Sequence, residues 1–125
     1  MIYLDTHVVV WLYAGVIERF PAKVQEVLEG DDLVISPIVL MEMQYLRETN
    51  RITEDAQVIR TRLGQAIGLT VRDVAFQRVV EEAVLHNWTR DPFDRLIVAQ
   101  AAIENERLLT KDRTIRKHFA AAFWA

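Results

Sequence analysis

The 125-residue sequence predicts an α/β protein with a parallel sheet of four to five short strands flanked by helices on both faces. Short β-prone apolar runs alternate along the chain with longer segments of helical periodicity. The helical segments are bounded by typical start and stop residues, such as Ser36-Pro37, Asp91-Pro92 and Gly68. The length is that of one domain, so we expect residues 1–125 to share a single core.

The N-terminal half contains two predicted strands and three predicted helices. The strands are the apolar runs Ile2 to Leu4 and Leu33 to Ile35. The helices, each bounded by a start or stop signal, are Val8 to Tyr13 before Gly15, a segment from Pro21 to Gly30, and a segment opened by Ser36-Pro37.

The C-terminal half continues the alternation. The predicted helices are a segment from Thr53-Glu54-Asp55 to Gly68, a segment around Val79 to Val84, Phe93 to Glu104, and Arg113 to His118. The predicted strands are Leu69 to Val71, Arg107 to Leu109, and Ala122 to Trp124. Because the Phe93 to Glu104 segment is apolar on almost every side, we expect it to lie in the middle of the domain.

Composition excludes several classes of protein. The absence of cysteine rules out disulfides and thiolate metal sites, and it fits a reducing compartment. The N-terminus MIYLDTH has no basic region of the kind that opens a secretory signal, and no apolar run is long enough to span a membrane. We therefore expect a soluble, cytoplasmic protein with no membrane partner.

Four acidic residues lie at or just beyond apolar runs, where an isolated ionised carboxylate is costly unless it is paired or bound to metal. Asp5 ends the first predicted strand and Asp112 follows the fourth, whereas Glu42 and Asp94 lie in the early turns of two helices. In parallel α/β sheets, sites form beyond the carboxyl ends of the strands. All four segments can therefore bring a carboxylate to one edge of the sheet.

An oxygen-only set of ligands favours Mg²⁺ or Mn²⁺ over zinc. Such ions activate water and stabilise the leaving oxygen during attack at phosphorus. Each acid also has a purely structural alternative: Asp5 and Asp112 can cap helices, and Glu42 can be a surface glutamate. Asp91 precedes a proline as a helix N-cap does, which leaves Asp94 as the expected ligand.

Other polar and aromatic residues receive weaker assignments. His7 is a poor ligand for a hard cation, and it either contacts substrate or lies in the first helical turn. Trp11, Phe93 and Trp124 are expected to pack in the core or at a dimer interface and not to stack on nucleic-acid bases.

Four stretches in this order, IYLDTHVVVWL, Ser36 to Glu42, TRDPFDRLIVAQA and LLTKD, resemble the PIN-domain family, specifically the VapC-type toxins of type II toxin-antitoxin modules. The resemblance extends from Ile2 to Trp124. It implies a Mg²⁺- or Mn²⁺-dependent ribonuclease with three or four acids at the site. By position, the catalytic and metal-binding acids are Asp5, Glu42, Asp94 and Asp112.

The resemblance also implies that Thr6 and Thr110 bind substrate, by orienting a water or a phosphate near the metal. Capping and turn formation are equally good explanations for both threonines. Arg95 follows Asp94 directly, and we expect it to hold a phosphate, with a surface salt bridge as the alternative.

The expected partners follow from the same resemblance. They are an RNA substrate, a small cognate antitoxin, and a second copy of the chain in a homodimer or a larger toxin-antitoxin assembly. Val9, Leu12, Tyr13 and the Met41 to Tyr45 segment are the apolar residues expected to accept an amphipathic antitoxin helix.

Two other functions remain open at this level. One is a PIN-like module that binds RNA or protein without cleavage. The other is a phosphoryl-receiver domain, which has a similar length and architecture and a lysine after a late strand, as Lys111 has here. A receiver has a phosphoacceptor aspartate at the end of a strand near mid-chain. This chain has none there, because residues 50–63 read as largely helical.

Overall fold

The computed structural model describes residues 1–125, which form a wholly parallel sheet of five strands in the order β3-β2-β1-β4-β5. The strands are β1 (Ile2–Leu4), β2 (Leu33–Ile35), β3 (Thr70–Val71), β4 (Arg107–Leu109) and β5 (Ala122–Phe123). In the register of the central pairs, Tyr3 lies opposite Val34 on one side and Leu108 on the other. The predicted parallel sheet is confirmed, with β1 at its centre.

Seven helices connect the strands: α1 (Thr6–Ala14), α2 (Ala22–Gly30), α3 (Pro37–Glu48), α4 (Ala56–Ile67), α5 (Phe76–Leu85), α6 (Pro92–Ile103) and α7 (Arg113–His118). A short 3₁₀ turn at Ile17–Arg19 is an element that the sequence pattern did not predict. Parallel crossovers are right-handed, and here they leave the centre of the sheet in opposite directions, so helices cover both faces.

Local signals explain where the helices begin and end. The Ser36 hydroxyl accepts a hydrogen bond from the Ile38 amide (3.3 Å), and the Asp91 carboxylate accepts from the amides of Phe93 (2.9 Å) and Asp94 (3.2 Å). These bonds satisfy amides that the first turn of a helix leaves free. The predicted caps at Ser36 and Asp91 are confirmed, and the latter leaves the Asp94 side chain uncommitted.

The core lies around β1 and α6. All three residues of β1 are fully buried, and so are Ile97 and Val98 of α6. The predicted central position of α6 is therefore confirmed. None of the helices has the length and apolarity that crossing a bilayer requires.

A polar network joins β1 to the C-terminal end of α6. The Tyr3 hydroxyl donates to Glu104 Oε1 (2.8 Å) and accepts from Gln100 Nε2 (3.1 Å), which also donates to the Arg72 carbonyl (2.7 Å). Burial raises the pKa of Tyr3 to about 12. Because each of these buried groups has a partner, the network fixes α6 on the sheet without an unsatisfied polar atom.

We predict that Ile97→Ala lowers the free energy of unfolding by about 2–5 kcal/mol, because it leaves a cavity under α6. Urea denaturation measures the loss. The matched substitution Ile67→Ala, at a side chain that is 44% exposed, should cost clearly less. Equal losses at the two positions would show that α6 is not the central packing element.

Candidate functional site

All four sequence-predicted acids line one cleft of about 330 Å³. They come from four different segments, as expected: Asp5 follows β1, Glu42 lies on α3, Asp94 on α6, and Asp112 precedes α7. The remaining lining residues are Thr6, His7, Val10, Trp11, Leu46 and Asp91. The cleft lies beyond the carboxyl ends of β1 and β4, where the direction of the crossovers reverses and where α/β sheets place their ligands.

Asp5 is the most buried acid, with 4% of its surface exposed. Its Oδ1 accepts from the Thr6 amide (2.8 Å), which makes Asp5 the N-cap of α1, and its Oδ2 accepts from the Thr110 hydroxyl (2.7 Å). An ionised carboxylate retains further lone pairs after two such bonds. Asp5 can therefore cap a helix and still present oxygen to the cleft.

Glu42 is bound to the same segment. Its Oε1 accepts a bond of 2.5 Å from the Thr6 hydroxyl. Burial raises the pKa of Glu42, the charges of Asp5 and Asp91 raise it further, and the Thr6 bond acts in the opposite direction. Thr6 thus connects two acids, through its amide to Asp5 and through its hydroxyl to Glu42.

Asp94 has no hydrogen-bond donor on the protein for its side chain, unlike Asp5 and Glu42. Burial raises its pKa to about 8, and the charges of Asp5, Asp91, Asp112 and Glu42 contribute in that order. Mutual repulsion of this kind requires that the carboxylates lie close together. Asp94 therefore lies close to the other acids, in a cleft that offers its side chain no hydrogen-bond donor.

Asp112 caps a helix and also lies at the cleft. Its Oδ1 accepts from the Ile115 amide (2.9 Å) and caps α7, while its own amide donates to the Thr110 hydroxyl (3.0 Å). The residue still lines the cleft. Asp112 is thereby fixed through Thr110 to the same hydrogen-bond network as Asp5.

The three polar residues expected to bind substrate have different positions. Thr6 lines the cleft, so its assignment stays a prediction. Thr110 is fully buried and its hydroxyl donates to Asp5, so it positions that acid, and its assignment to substrate also stays a prediction. Arg95 does not line the cleft, because its guanidinium donates to the carbonyls of Ala83 (3.1 Å) and Val84 (3.0 Å) on α5. The expectation that Arg95 holds a phosphate beside the acids is therefore corrected.

His7 and Trp11 also line the cleft, although neither was firmly assigned to a site from its sequence position. His7 Nε2 accepts from the Lys111 amide (2.9 Å), and its Nδ1 lies 3.6 Å from Asp5 Oδ2. Burial lowers the pKa of His7, against the opposing effect of Asp5 and Asp112. The signal available in the sequence was the four-residue spacing of His7 and Trp11, which places them on one face of α1, directly after Asp5.

The donor set fits a hard divalent cation, since every acidic ligand offers oxygen and no cysteine is available. No group of three or more acidic or histidine side chains is already arranged to hold an ion. The Asp94 side chain accepts no hydrogen bond from the protein, so no such bond opposes its rotation toward a cation. The chemistry of the ligands fits Mg²⁺ or Mn²⁺, while the coordination geometry still requires this adjustment.

The chain belongs to the PIN domain family, whose sequence model matches residues 2–119. It is 32% identical over 120 residues to Ribonuclease VapC22 of Mycobacterium tuberculosis (strain ATCC 25618 / H37Rv). The aligned region covers 94% of this chain and 91% of that protein. The sequence-based resemblance is thereby confirmed.

Two solved structures share the fold. One is a toxin-antitoxin complex from Klebsiella pneumoniae, with a TM-score of 0.64 at 18% identity, covering 98% of this chain and 96% of that one. The other is VapBC2 from Rickettsia felis bound to a DNA fragment from its promoter, with a TM-score of 0.64 at 20% identity and full coverage of both chains.

The fold also contradicts the phosphoryl-receiver alternative. Receiver-type sheets have the strand order 2-1-3-4-5, in which the mid-chain strand lies next to the first. Here β3 lies at the edge of the sheet, separated from β1 by β2. An aspartate following β3 could not meet Asp5 at the centre of the sheet.

We predict that, in EDTA, the protein loses stability as the pH rises from about 5 to about 8. The pKa of Asp94 in the folded chain, about 8, lies above its ordinary value of 3.8, so the folded state binds more protons than the unfolded state across this range. Thermal unfolding at each pH measures the effect.

Asp94→Asn should reduce this pH dependence, whereas the control Asp32→Asn, on the exposed turn before β2, should preserve it. A slope that is unchanged in Asp94→Asn would show that the charges in the cleft do not act on Asp94.

Proposed function

We propose that this protein is a Mg²⁺- or Mn²⁺-dependent endoribonuclease, the toxin of a type II toxin-antitoxin module, that acts on RNA phosphodiester bonds in the cytoplasm. The observation that carries the proposal is the convergence of Asp5, Glu42, Asp94 and Asp112 in one cleft at the carboxyl edge of the sheet. Membership of the PIN domain family and the similarity to a curated ribonuclease support it.

Asp5, Glu42 and Asp94 would hold the cation, with Asp112 as a fourth ligand acting directly or through a water. When bound, Mg²⁺ or Mn²⁺ supplies an activated water and charge stabilisation for the leaving oxygen. The protein contributes the orientation: Thr110 and the Thr6 amide fix both oxygens of Asp5, and the Thr6 hydroxyl fixes Glu42. Asp94 is the one acid of these three left without a protein donor, which suits a ligand that must adjust.

The alternative of a PIN-fold module that binds without cleavage has one observation in its favour. The acids are not already arranged around an ion position. Against it stand the four acidic side chains and the shared threonine bonds, which a binding surface for polyanionic RNA has no reason to assemble, because carboxylates repel phosphates. Cleavage assays separate the two.

We assign the antitoxin to an apolar groove between α1, α2 and α4. The groove has a volume of about 160 Å³, and its apolar lining consists of Leu12, Ile17, Phe20, Leu28, Leu33 and Ile67. A concave apolar groove on a small domain suits the apolar face of an amphipathic helix. Val9, which the sequence analysis included in this surface, is fully buried in the core and cannot contribute.

We assign a second copy of the chain to the open face formed by α3 and α5, and this replaces the antitoxin as the partner expected at the Met41 to Tyr45 segment. Met41 is 60% exposed and Phe76 is 73% exposed on this face, where they line an apolar cleft of about 330 Å³. Exposed apolar side chains in such a group mark an interface more often than free surface.

Phe76→Asp should therefore convert a dimer of the free chain to a monomer, as measured by light scattering. Addition of the antitoxin should still raise the mass, because its groove lies elsewhere. A wild-type chain that is monomeric at all concentrations would contradict the dimer, and an unchanged mass on adding antitoxin would contradict the partner assignment.

We predict that Mn²⁺ binds the wild-type chain and raises its melting temperature, since a ligand of the folded state stabilises it. Asp5→Asn, Glu42→Gln and Asp94→Asn should each abolish or sharply weaken binding in calorimetry. They should also slow RNA cleavage by roughly a hundredfold or more, the scale on which loss of one transition-state stabiliser acts.

Two matched substitutions serve as controls, Glu48→Gln on the same helix as Glu42 and Asp32→Asn. Both should bind Mn²⁺ and cleave RNA at the wild-type level. Metal binding without cleavage of any RNA would favour the non-catalytic alternative, and binding that depends on Asp5 alone would contradict a shared site.

A further inference from the structure

Trp11 forms part of the wall of the acidic cleft, and two cationic side chains lie near its ring. The Arg19 guanidinium carbon is 5.1 Å from the ring centroid, and the Lys111 Nζ is 5.7 Å away. Arg19 comes from the 3₁₀ turn and Lys111 from the loop after β4, so two separate segments bring positive charge to this side of the cleft.

These two cations are not used by the protein as ion-pair partners. Lys111 precedes Asp112 in the sequence and Arg19 follows Glu18, yet neither cation forms a salt bridge with any carboxylate. Both side chains are exposed. Positive charge at the rim of an acidic cleft is therefore available to a ligand that is itself anionic.

The platform beneath these cations is held in place. Trp11 contacts the rings of His7 (centroids 5.0 Å apart), Trp124 (6.0 Å) and Phe20 (6.2 Å). Lys111 is fixed through its backbone, since its amide donates to His7 Nε2 and its carbonyl accepts from Arg116 Nη2 (3.0 Å). The ring is thus packed against three aromatic neighbours, while the Lys111 ammonium forms no salt bridge.

We propose that Trp11 is a stacking platform for one base of a single-stranded RNA whose phosphate enters the cleft, with Arg19 and Lys111 neutralising neighbouring phosphates. This inference rests on the proposed function and names the RNA contacts of the same site. Bases stack on aromatic rings while basic side chains follow the backbone, which is the general arrangement for single-stranded nucleic acid.

The same chemistry defines what kind of RNA is bound. A base within a duplex is stacked and paired, so only an unpaired base can reach the face of Trp11. A base that occupies the ring displaces a cation from it, and that cation is then free to contact a phosphate. Because every base has a π-face, the platform contributes affinity and not sequence preference. Trp11 thereby acquires a role beyond the packing expected from the sequence.

The test uses the full chain with Asp94→Asn in EDTA, so that RNA stays intact, and fluorescein-labelled short single-stranded RNA as the probe. Fluorescence anisotropy should show that Trp11→Ala raises the Kd about tenfold or more, with Trp11→Phe between that variant and the parent. The matched control is Trp88→Phe, at a half-buried tryptophan that stacks on His118 and does not line the cleft; it should leave the Kd unchanged.

Two further readings distinguish stacking from a structural effect. Unlabelled RNA should quench tryptophan emission in the parent and in Trp88→Phe, and this quenching should be largely lost in Trp11→Phe, a variant that keeps an aromatic ring in the cluster. Arg19→Gln and Lys111→Gln should each make the plot of log K against log salt concentration less steep, by about the amount that corresponds to the loss of one phosphate contact.

Unchanged RNA affinity and quenching in Trp11→Phe and Trp11→Ala would overturn the platform and leave the nuclease assignment intact. A platform that binds RNA as described, in a wild-type chain that cleaves no RNA with Mn²⁺, would instead overturn the nuclease assignment alone. Absence of RNA binding in the parent would overturn the platform, and wild-type cleavage would then decide the nuclease assignment separately.

Discussion

The hydrogen bond from the Thr110 hydroxyl to Asp5 Oδ2, 2.7 Å long, joins the carboxyl ends of the two central strands, and the candidate site depends on it. An ionised carboxylate as buried as Asp5 is costly unless its oxygens are satisfied. Thr110 and the Thr6 amide satisfy both oxygens and fix their direction. The Thr6 hydroxyl extends this arrangement to Glu42, so one short segment after β1 positions two acids.

Asp5 and Glu42 accept hydrogen bonds from the protein, whereas the Asp94 side chain accepts none. Asp94 faces the other carboxylates without a donor of its own, and its pKa is raised to about 8. Such a carboxyl does not help the fold, because its burial and the neighbouring charges both oppose its ionisation. Strongly perturbed carboxylates in a cleft are instead typical of functional sites, where a ligand supplies the missing partner. The Asp94 carboxyl, which accepts no hydrogen bond and lies among other acids, therefore marks the cleft as the candidate functional site.

Much of this arrangement follows from the sequence, because its signals are local. Ser36-Pro37 and Asp91-Pro92 begin helices for reasons of capping and proline geometry, and the structure has helices there. The acid at the end of β1 could be placed because parallel strands bring their carboxyl ends together. The position of Arg95 could not be read from the sequence, because its guanidinium donates to the carbonyls of Ala83 and Val84 on α5, a contact between two helices that no local pattern shows.

Other features could not be predicted, since they depend on which segments meet in three dimensions. Nothing in the sequence indicates whether Trp11 lies in the core or on the rim, because that depends on what covers it. Likewise, the pairing of Thr110 with Asp5 joins residues far apart in the chain. The pattern showed which residue types could form a site but not which hydroxyl would orient which acid.

The most direct test of the cation site is the anomalous scattering of Mn²⁺ in crystals of the wild-type chain. The account predicts a peak within ligating distance of oxygens from Asp5, Glu42 and Asp94, with Asp94 turned toward the other two. A peak elsewhere on the protein, or none in the cleft at millimolar Mn²⁺, would contradict it.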